Sequence, residues 1–426
     1  MDKFTQHKLN NGMQFYCIPL PNTHSIVISL YIKSGLKYER PQHIGVSHMV
    51  EHMLFRHLHD LDQRELYFQT ECMGTTLKAS TYKDFTRFYI EVLPKFTLKA
   101  FEIIKKLLLK NEWTNEEIRK EKTVVINQIN ERHFSYEDEN QRIYWKDTPL
   151  NNLIMGTSSK VKKLSKKVIY DYYNLFYQPK NCCLVISGNI DKSQIEFMIE
   201  ELEKIENKAN SLTAIESLYP ERFLIRSEKD DNIIENTGNY SEIKICFEVD
   251  YNKIQKEHSD YLYSILGDGD GSKLSLLLRE ELGYVDEIYT DYSRYNKFCI
   301  LSINYDVIND LLPKSLDQVL NVIKSLKTKI DERDILKSEV FLSDNWIMFY
   351  DLPEDLNYHY GWGSYILEEP FKNINDIAND YKNISIEDLK RSAEELFTSK
   401  NMITFIHTNT EPNIIKNILK KWRKAL

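Results

Sequence analysis

The stretch Gly45-Val46-Ser47-His48-Met49-Val50-Glu51-His52-Met53-Leu54-Phe55 is apolar apart from Ser47 and three ionisable side chains, two imidazoles and one carboxylate. As a helix it puts His48 and His52 at i and i+4, one turn apart on one face. Two neutral imidazoles at that spacing can share one Zn2+ ion. Glu51 precedes His52 and lies on the same side of the helix, where a carboxylate can take a proton from attacking water. An H-x-x-E-H arises by chance in roughly 2 of 100 chains of such composition, so the pattern alone also fits a core helix with two incidental histidines. Against that reading, three ionisable groups in one turn of an apolar helix are costly to bury without a shared purpose.

The chain around this helix has 426 residues, longer than one core usually supports, so two or more domains are expected. With 42% hydrophobic and 28% charged residues the composition is that of a soluble globular protein. A net charge of -8 argues against a nucleic-acid partner and mildly favours basic or neutral substrates. The 6 cysteines show no metal-finger spacing, and most lie in apolar runs where buried thiols are the default. Met1 to His7 contains no basic segment followed by an apolar core, and no run reaches transmembrane length. A cytoplasmic protein without membrane insertion is the expectation.

The apolar pattern alternates between the two periods. His7 to Pro19 reads as strand, Asn-Gly turn and strand, and Ser25 to Lys33 as a buried strand. After the His48 helix come a second helix ending near Gly74 and two strands within Thr75 to Leu93. Phe96 to Leu109 and Asn115 to His133 are amphipathic helices, the latter capped by Thr114. A helix from Ser165 to Tyr177 and a strand from Cys182 to Gly188 complete the first half. Glu206 to Pro220 is polar and mixed and reads as a linker. The second half repeats the plan without sequence identity: strands at Glu242 to Val249, around Ile288, at Phe298 to Tyr305 and at Met402 to His407, with helices between and a basic helix last. The expectation is an α+β protein of two similar domains, 1–210 and 221–426, each a mainly antiparallel sheet packed with helices.

With these residues in view the chain resembles the pitrilysin class of inverted-zincin metallopeptidases, and within it the mitochondrial processing peptidase subunits and their bacterial relatives. The resemblance rests on Gly45 to Phe55, on Gly74 to Thr81, on Glu121 to Ile126, on Tyr177 to Asn181, and on Gly271 to Leu274 leading to Leu278-Arg279-Glu280. It covers nearly the whole chain. It implies a two-domain half-clamshell, two of which pair around a chamber where unfolded peptides are cut, with Zn2+ as cofactor, His48 and His52 as ligands and Glu51 as general base.

Three positions depart from the family pattern. The third metal ligand, a Glu in the family, falls on Gln128, while the family's other Glu, two turns earlier, is present as Glu121. A glutamine carbonyl can coordinate zinc but brings no charge, and the loss should weaken binding by at least roughly 10–100-fold. Two arrangements are open: Glu121 swings in as ligand or stands behind the metal, or Gln128 binds weakly. Otherwise the chain has lost tight zinc binding. The family's second domain supplies an Arg and, two turns later, a Tyr to hold the substrate carbonyl. Arg279 fits the first, but position 286 is Asp, with Tyr284 close by. An Arg279 that only pairs with a neighbouring acid is the plainer alternative. The strand that would receive substrate at its edge, Lys78-Ala79-Ser80, has Lys78 where Asn is usual; edge pairing uses main-chain groups, so binding can survive the change.

The function expected from these residues is a zinc-dependent endopeptidase, or a subunit of one, acting on short or unfolded peptides, with precursor-peptide maturation as one role the resemblance allows. A second related chain, in a heterodimer or homodimer, is expected to complete it. The alternative is a catalytically weak or inactive peptide-binding or scaffold subunit.

Overall fold

Two mixed sheets, each backed by helices, carry the chain in the computed structural model, which describes residues 4–133, 135–208 and 231–426. The first sheet takes β1 (Thr5–Lys8), β2 (Gln14–Pro19) and β3 (Ile26–Ile32). A two-residue hairpin comes next in the chain, β4 (His57–Leu58) and β5 (Leu61–Asp62), outside that sheet. β6 (Lys78–Thr81), β7 (Thr86–Val92) and β8 (Cys182–Gly188) finish it in the order β1-β2-β8-β3-β7-β6. Every neighbouring pair is antiparallel except β2 with β8.

The second sheet is made of β9 (Asp231–Glu235), β10 (Tyr240–Asp250), β11 (Ile288–Tyr295), β12 (Phe298–Ile308) and β13 (Met402–Thr408). Its order is β11-β12-β10-β13-β9, again antiparallel except for the parallel pair β13 and β9. The pairing scheme is shared: β2 and β9 run parallel to the last strand of their sheets, β8 and β13, and that last strand lies antiparallel to β3 or β10, which in turn pairs with the second strand of a hairpin, β7 or β12. The α+β class and the two similar halves stand as expected. The parallel strand β9 was not anticipated, nor were the helices Tyr136–Tyr144 and Lys192–Glu203.

Four helices build or brace the region around His48: α1 (Val46–Arg56), α2 (Gln63–Glu71), α3 (Thr97–Lys106) and α4 (Asn115–Glu131). α1 and α3 lay their apolar stripes against the first sheet, where Met49, Val50, Met53, Leu54, Phe101 and Ile104 share a core with Ile28, Leu30, Phe88 and Ile90. Each fully buried side chain of this kind contributes about 1.5–3 kcal/mol. A separate core serves the second sheet, with Phe247, Leu301, Ile303, Leu316 and Trp422 among its members.

The division between the halves is not sequential. Residues up to 208 together with Phe349–Phe371 form one compact unit, and residues 231–348 with Lys372–Leu426 the other. A single cut between 210 and 221 would assign Phe349–Phe371 to the second half, but this segment packs on the outer face of the first sheet. The Asn357 amide donates to the Val27 and Val185 carbonyls at 3.2 and 3.0 Å, and the Tyr31 hydroxyl donates to the Asn357 carbonyl at 3.2 Å. Gly361 lies so close to Tyr31 that a Cβ there would stand 2.1 Å from its ring. Covered on both faces, β3 and β8 are buried along their whole length, which is why both read as apolar runs, interrupted only by the buried Ser29 and Ser187. Of the expected linker, residues 209–220 lie outside the described residues.

Candidate active site

The N-terminus of α1 is set by two residues. Gly45 adopts a left-handed backbone with φ 95, and a Cβ there would stand 2.7 Å from the Met155 carbonyl oxygen. Glu39, fully buried, accepts the Gly45 N–H at 2.6 Å, the Ser47 N–H at 2.8 Å and the Ser47 hydroxyl. These bonds meet helix-end donors that would otherwise be orphaned. Burial pushes the Glu39 carboxyl up, to about 7, against those three hydrogen bonds.

From that start, Val46, Met49, Val50, Met53 and Leu54 turn to the core. The remaining face carries His48, Glu51, His52 and Arg56, the helix period having sorted them. The two imidazole rings lie 4.5 Å apart, tilted at 59°. His48 is buried, and its Nδ1 has no hydrogen-bond partner among the described residues. Burial, then the neighbouring His52, hold its pKa down to about 3 against the pull of Glu121, so the ring is neutral with one nitrogen lone pair available.

α4 faces α1 in the opposite direction. It begins with a capping box between Thr114 and Glu117. Glu117 meets His57 Nδ1 at 3.0 Å, and Glu121 meets His52 Nδ1 at 2.8 Å. The other Glu121 oxygen receives Arg56 Nε at 2.7 Å and Nη2 at 2.6 Å. Burial pushes the Glu121 carboxyl up, but the bonds from His52 and Arg56 outweigh it and hold it below the usual range. With Glu121 ionised, His52 Nδ1 is the donor and Nε2 keeps its lone pair. Of the two arrangements open for Glu121, the structure shows the one behind the histidine. The ladder also fixes the level of Gln128. Later residues of α1 meet earlier residues of α4, so Gln128, roughly 10 Å beyond Glu121 along α4, lies past the level of His48, which is about 6 Å from His52 along α1. It is exposed, and its side chain makes no hydrogen bond among the described residues.

Glu51 is partly buried, and one of its oxygens accepts the Thr81 hydroxyl from β6. Burial raises its pKa, while the Thr81 bond and His52 oppose the rise. That direction suits a general base. β6 is the last strand of its sheet. By strand alternation Ala79 and Thr81 face α1, whereas Lys78, exposed, and Ser80 face the other side, with the Lys78 ammonium 5.3 Å from the Tyr89 ring centre.

Arg279 and Tyr284 belong to the second unit. Arg279 lies on the short π-helix Ser275–Glu281, exposed, and pairs with Asp270 at 3.4 Å and Glu280 at 3.5 Å. Tyr284 packs against the second core, and its N–H donates to the Leu278 carbonyl at 2.8 Å. The acid pairing named as the plainer account of Arg279 is therefore present, though both bonds are exposed and weak.

Among the described residues no three His, Cys, Asp or Glu side chains converge as a metal site. Glu121, the carboxylate that comes closest, is held by His52 Nδ1 and Arg56. Even so, a buried ring nitrogen without a partner, a second ring held in one tautomer and a carboxylate beside them are a donor set that fits zinc. Sequence reading missed Glu39, Arg56 and Thr81. Only Arg56 had a local signal, since it continues the His48, His52 stripe by one more turn.

The chain matches the family described as insulinase, peptidase family M16, over residues 17–158, and the M16 inactive domain over residues 163–338. An uncharacterised zinc protease of Rickettsia bellii is 25% identical over 412 residues, spanning 93% of this chain and 96% of that protein. The mitochondrial-processing peptidase subunit beta of Saccharomyces cerevisiae is 27% identical over 192 residues, 44% of this chain and 42% of that one. Among solved structures, a protease from Helicobacter pylori superposes with a TM-score of 0.83 at 19% identity, covering 95% of this chain and 99% of that one.

Proposed function

The chain belongs to the insulinase family of peptidases, family M16, and from that premise we propose that it is the metal-bearing subunit of a zinc endopeptidase acting on short or unfolded peptides. The observation that carries this reading is the polar face of α1, where the neutral His48 ring, the His52 ring braced at Nδ1 by Glu121, and a carboxylate with a raised pKa stand together beside the last strand of the sheet. The name zinc protease borne by the Rickettsia relative supports the choice of metal. His48 and His52 hold the zinc, His52 through Nε2, and Gln128 offers its carbonyl at the third place.

Zinc, when bound, supplies a Lewis acid that polarises the scissile carbonyl and acidifies water. The chain's own groups do the rest. The Glu51 oxygen not engaged by Thr81 takes a proton from attacking water and returns it to the leaving amine. Thr81 fixes the other oxygen and so the plane of the carboxylate. The main chain of Lys78, Ala79 and Ser80 accepts the peptide as an added strand. Arg279 and Tyr284 are this chain's counterparts of the family's carbonyl-holding Arg and Tyr, a pair left incomplete by Asp286.

Because position 286 is Asp, a second related chain supplying the tyrosine completes the enzyme. The helix Glu332–Met348 supports such pairing: Leu336, Val340, Phe341, Ile347 and Met348 leave an apolar surface exposed along it. A cytoplasmic location and a role in precursor maturation are part of the same proposal and rest on the sequence. No helix among the described residues is long and apolar enough to cross a membrane.

One observation favours a second reading. A neutral, exposed Gln128 is what a scaffold subunit that has given up tight metal binding would carry. Zinc content of the chain purified alone, without added metal, separates the two. About one zinc per chain supports the enzyme; essentially none moves the assignment to a peptide-binding scaffold.

A further inference from the structure

We infer that Arg56 is a positioning residue of the zinc site, acting on the metal through Glu121 and His52. The inference rests on the proposed zinc site and names a residue that the proposed chemistry does not use. Arg56 stands one turn beyond His52 on the same helix face, as His52 stands one turn beyond His48. Its Nε and Nη2 both reach the same Glu121 oxygen, at 2.7 and 2.6 Å, and its Nη1 donates to Gln63 Oε1 at 2.9 Å on α2. The guanidinium is thus held at three nitrogens, and with His52 on the other oxygen it fixes both oxygens of the Glu121 carboxylate.

That placement decides what Glu121 does. Its second oxygen takes the His52 Nδ1 proton at 2.8 Å, on the side of the ring away from Nε2. A carboxylate so placed orients His52 from behind the ring and has both oxygens engaged. His48 has no such support, since its Nδ1 has no partner among the described residues. With a neutral Gln128 as third ligand, the site depends on the orientation of His52 more than a site with a charged third ligand would. Arg56 is the group that supplies that orientation. It is more than a charge: two donors on one oxygen fix a direction, which a flexible ammonium does less well.

The test is zinc affinity, measured by competition with a chromophoric chelator on the full chain, so no substrate is needed. R56A is expected to raise the zinc Kd roughly 10–100-fold, the usual effect of losing a group that orients a metal-binding histidine. R56K, which keeps one donor to Glu121, should fall between R56A and wild type. If Arg56 works through Glu121, the double variant R56A/E121Q binds no more weakly than E121Q alone. Additive losses in that cycle would overturn the inference, as would an R56A Kd equal to wild type. Thermal unfolding of the metal-free variants guards against a general loss of fold: equal melting temperatures with a raised Kd support a positioning role, whereas a loss of affinity that tracks melting across all four variants refutes it. A wild-type chain that takes up no zinc overturns the metal reading itself; zinc binding that R56A leaves untouched overturns this inference alone.

Discussion

Replacing Glu39 with Gln probes how the metal helix is started, and its cost can be worked from the contacts. Glu39 is fully buried and receives two backbone N–H groups and one hydroxyl. Burial lifts its carboxyl from the ordinary 4.5 to about 7. Below that value the protonated acid can donate to the Ser47 hydroxyl while still accepting both N–H groups. An amide cannot, because its nitrogen must face either the Gly45 or the Ser47 N–H. One buried donor is then left unmet, at about 1–3 kcal/mol. The pH dependence comes from the sign of the shift. A folded value above the unfolded one means the group's contribution is complete below about pH 4.5 and is lost as the pH rises through about 7. At about 1.4 kcal/mol per pH unit the loss amounts to about 3 kcal/mol. Only the wild type undergoes it. Urea unfolding of wild type and E39Q should show the variant weaker by about 1–3 kcal/mol near pH 5, with the gap closing or reversing near pH 8. A gap that stays constant or widens with pH refutes the reasoning. It would mean that Glu39 is ionised throughout, with the helix N-terminus and its three donors outweighing burial.

Three further outcomes are expected. E51Q should keep its zinc and lose peptide hydrolysis by roughly 100–10,000-fold, the range for removing a general base; turnover near wild type would remove Glu51 from the chemistry. Q128E should tighten zinc by roughly 10–100-fold in the same chelator competition, and an unchanged Kd would show that position 128 does not reach the metal. G361A should cost about 1–3 kcal/mol, because its Cβ would enter the space of the Tyr31 ring. A denaturation midpoint equal to wild type would argue that Phe349–Phe371 is not docked on β3.

The sequence by itself determined the local elements and the polar face of the metal helix. Spacing alone puts His48, Glu51 and His52 on one side of α1, because a helix has a fixed period, and the same period turns Met49, Val50 and Met53 to the core. Strands β3 and β8 were legible from their apolar runs, and α4 from Thr114 and the acids behind it. The roles of the partners were not legible, because they depend on which elements are brought together. Nothing local distinguishes a Glu121 that binds metal from one that braces His52; the choice is made by Arg56 meeting it from another helix at 2.6 Å. Thr81 reaches Glu51 only because β6 ends the sheet beside α1, and Glu39 reaches the helix start only because Gly45 turns the chain back toward it. The shared pairing scheme of the two sheets likewise left no trace in residue identity, since backbone hydrogen bonds set strand order and many side chains satisfy the same core. The docking of Phe349–Phe371 on the first sheet is the extreme case: those residues lie far from β3 in sequence, and only packing assigns them to it.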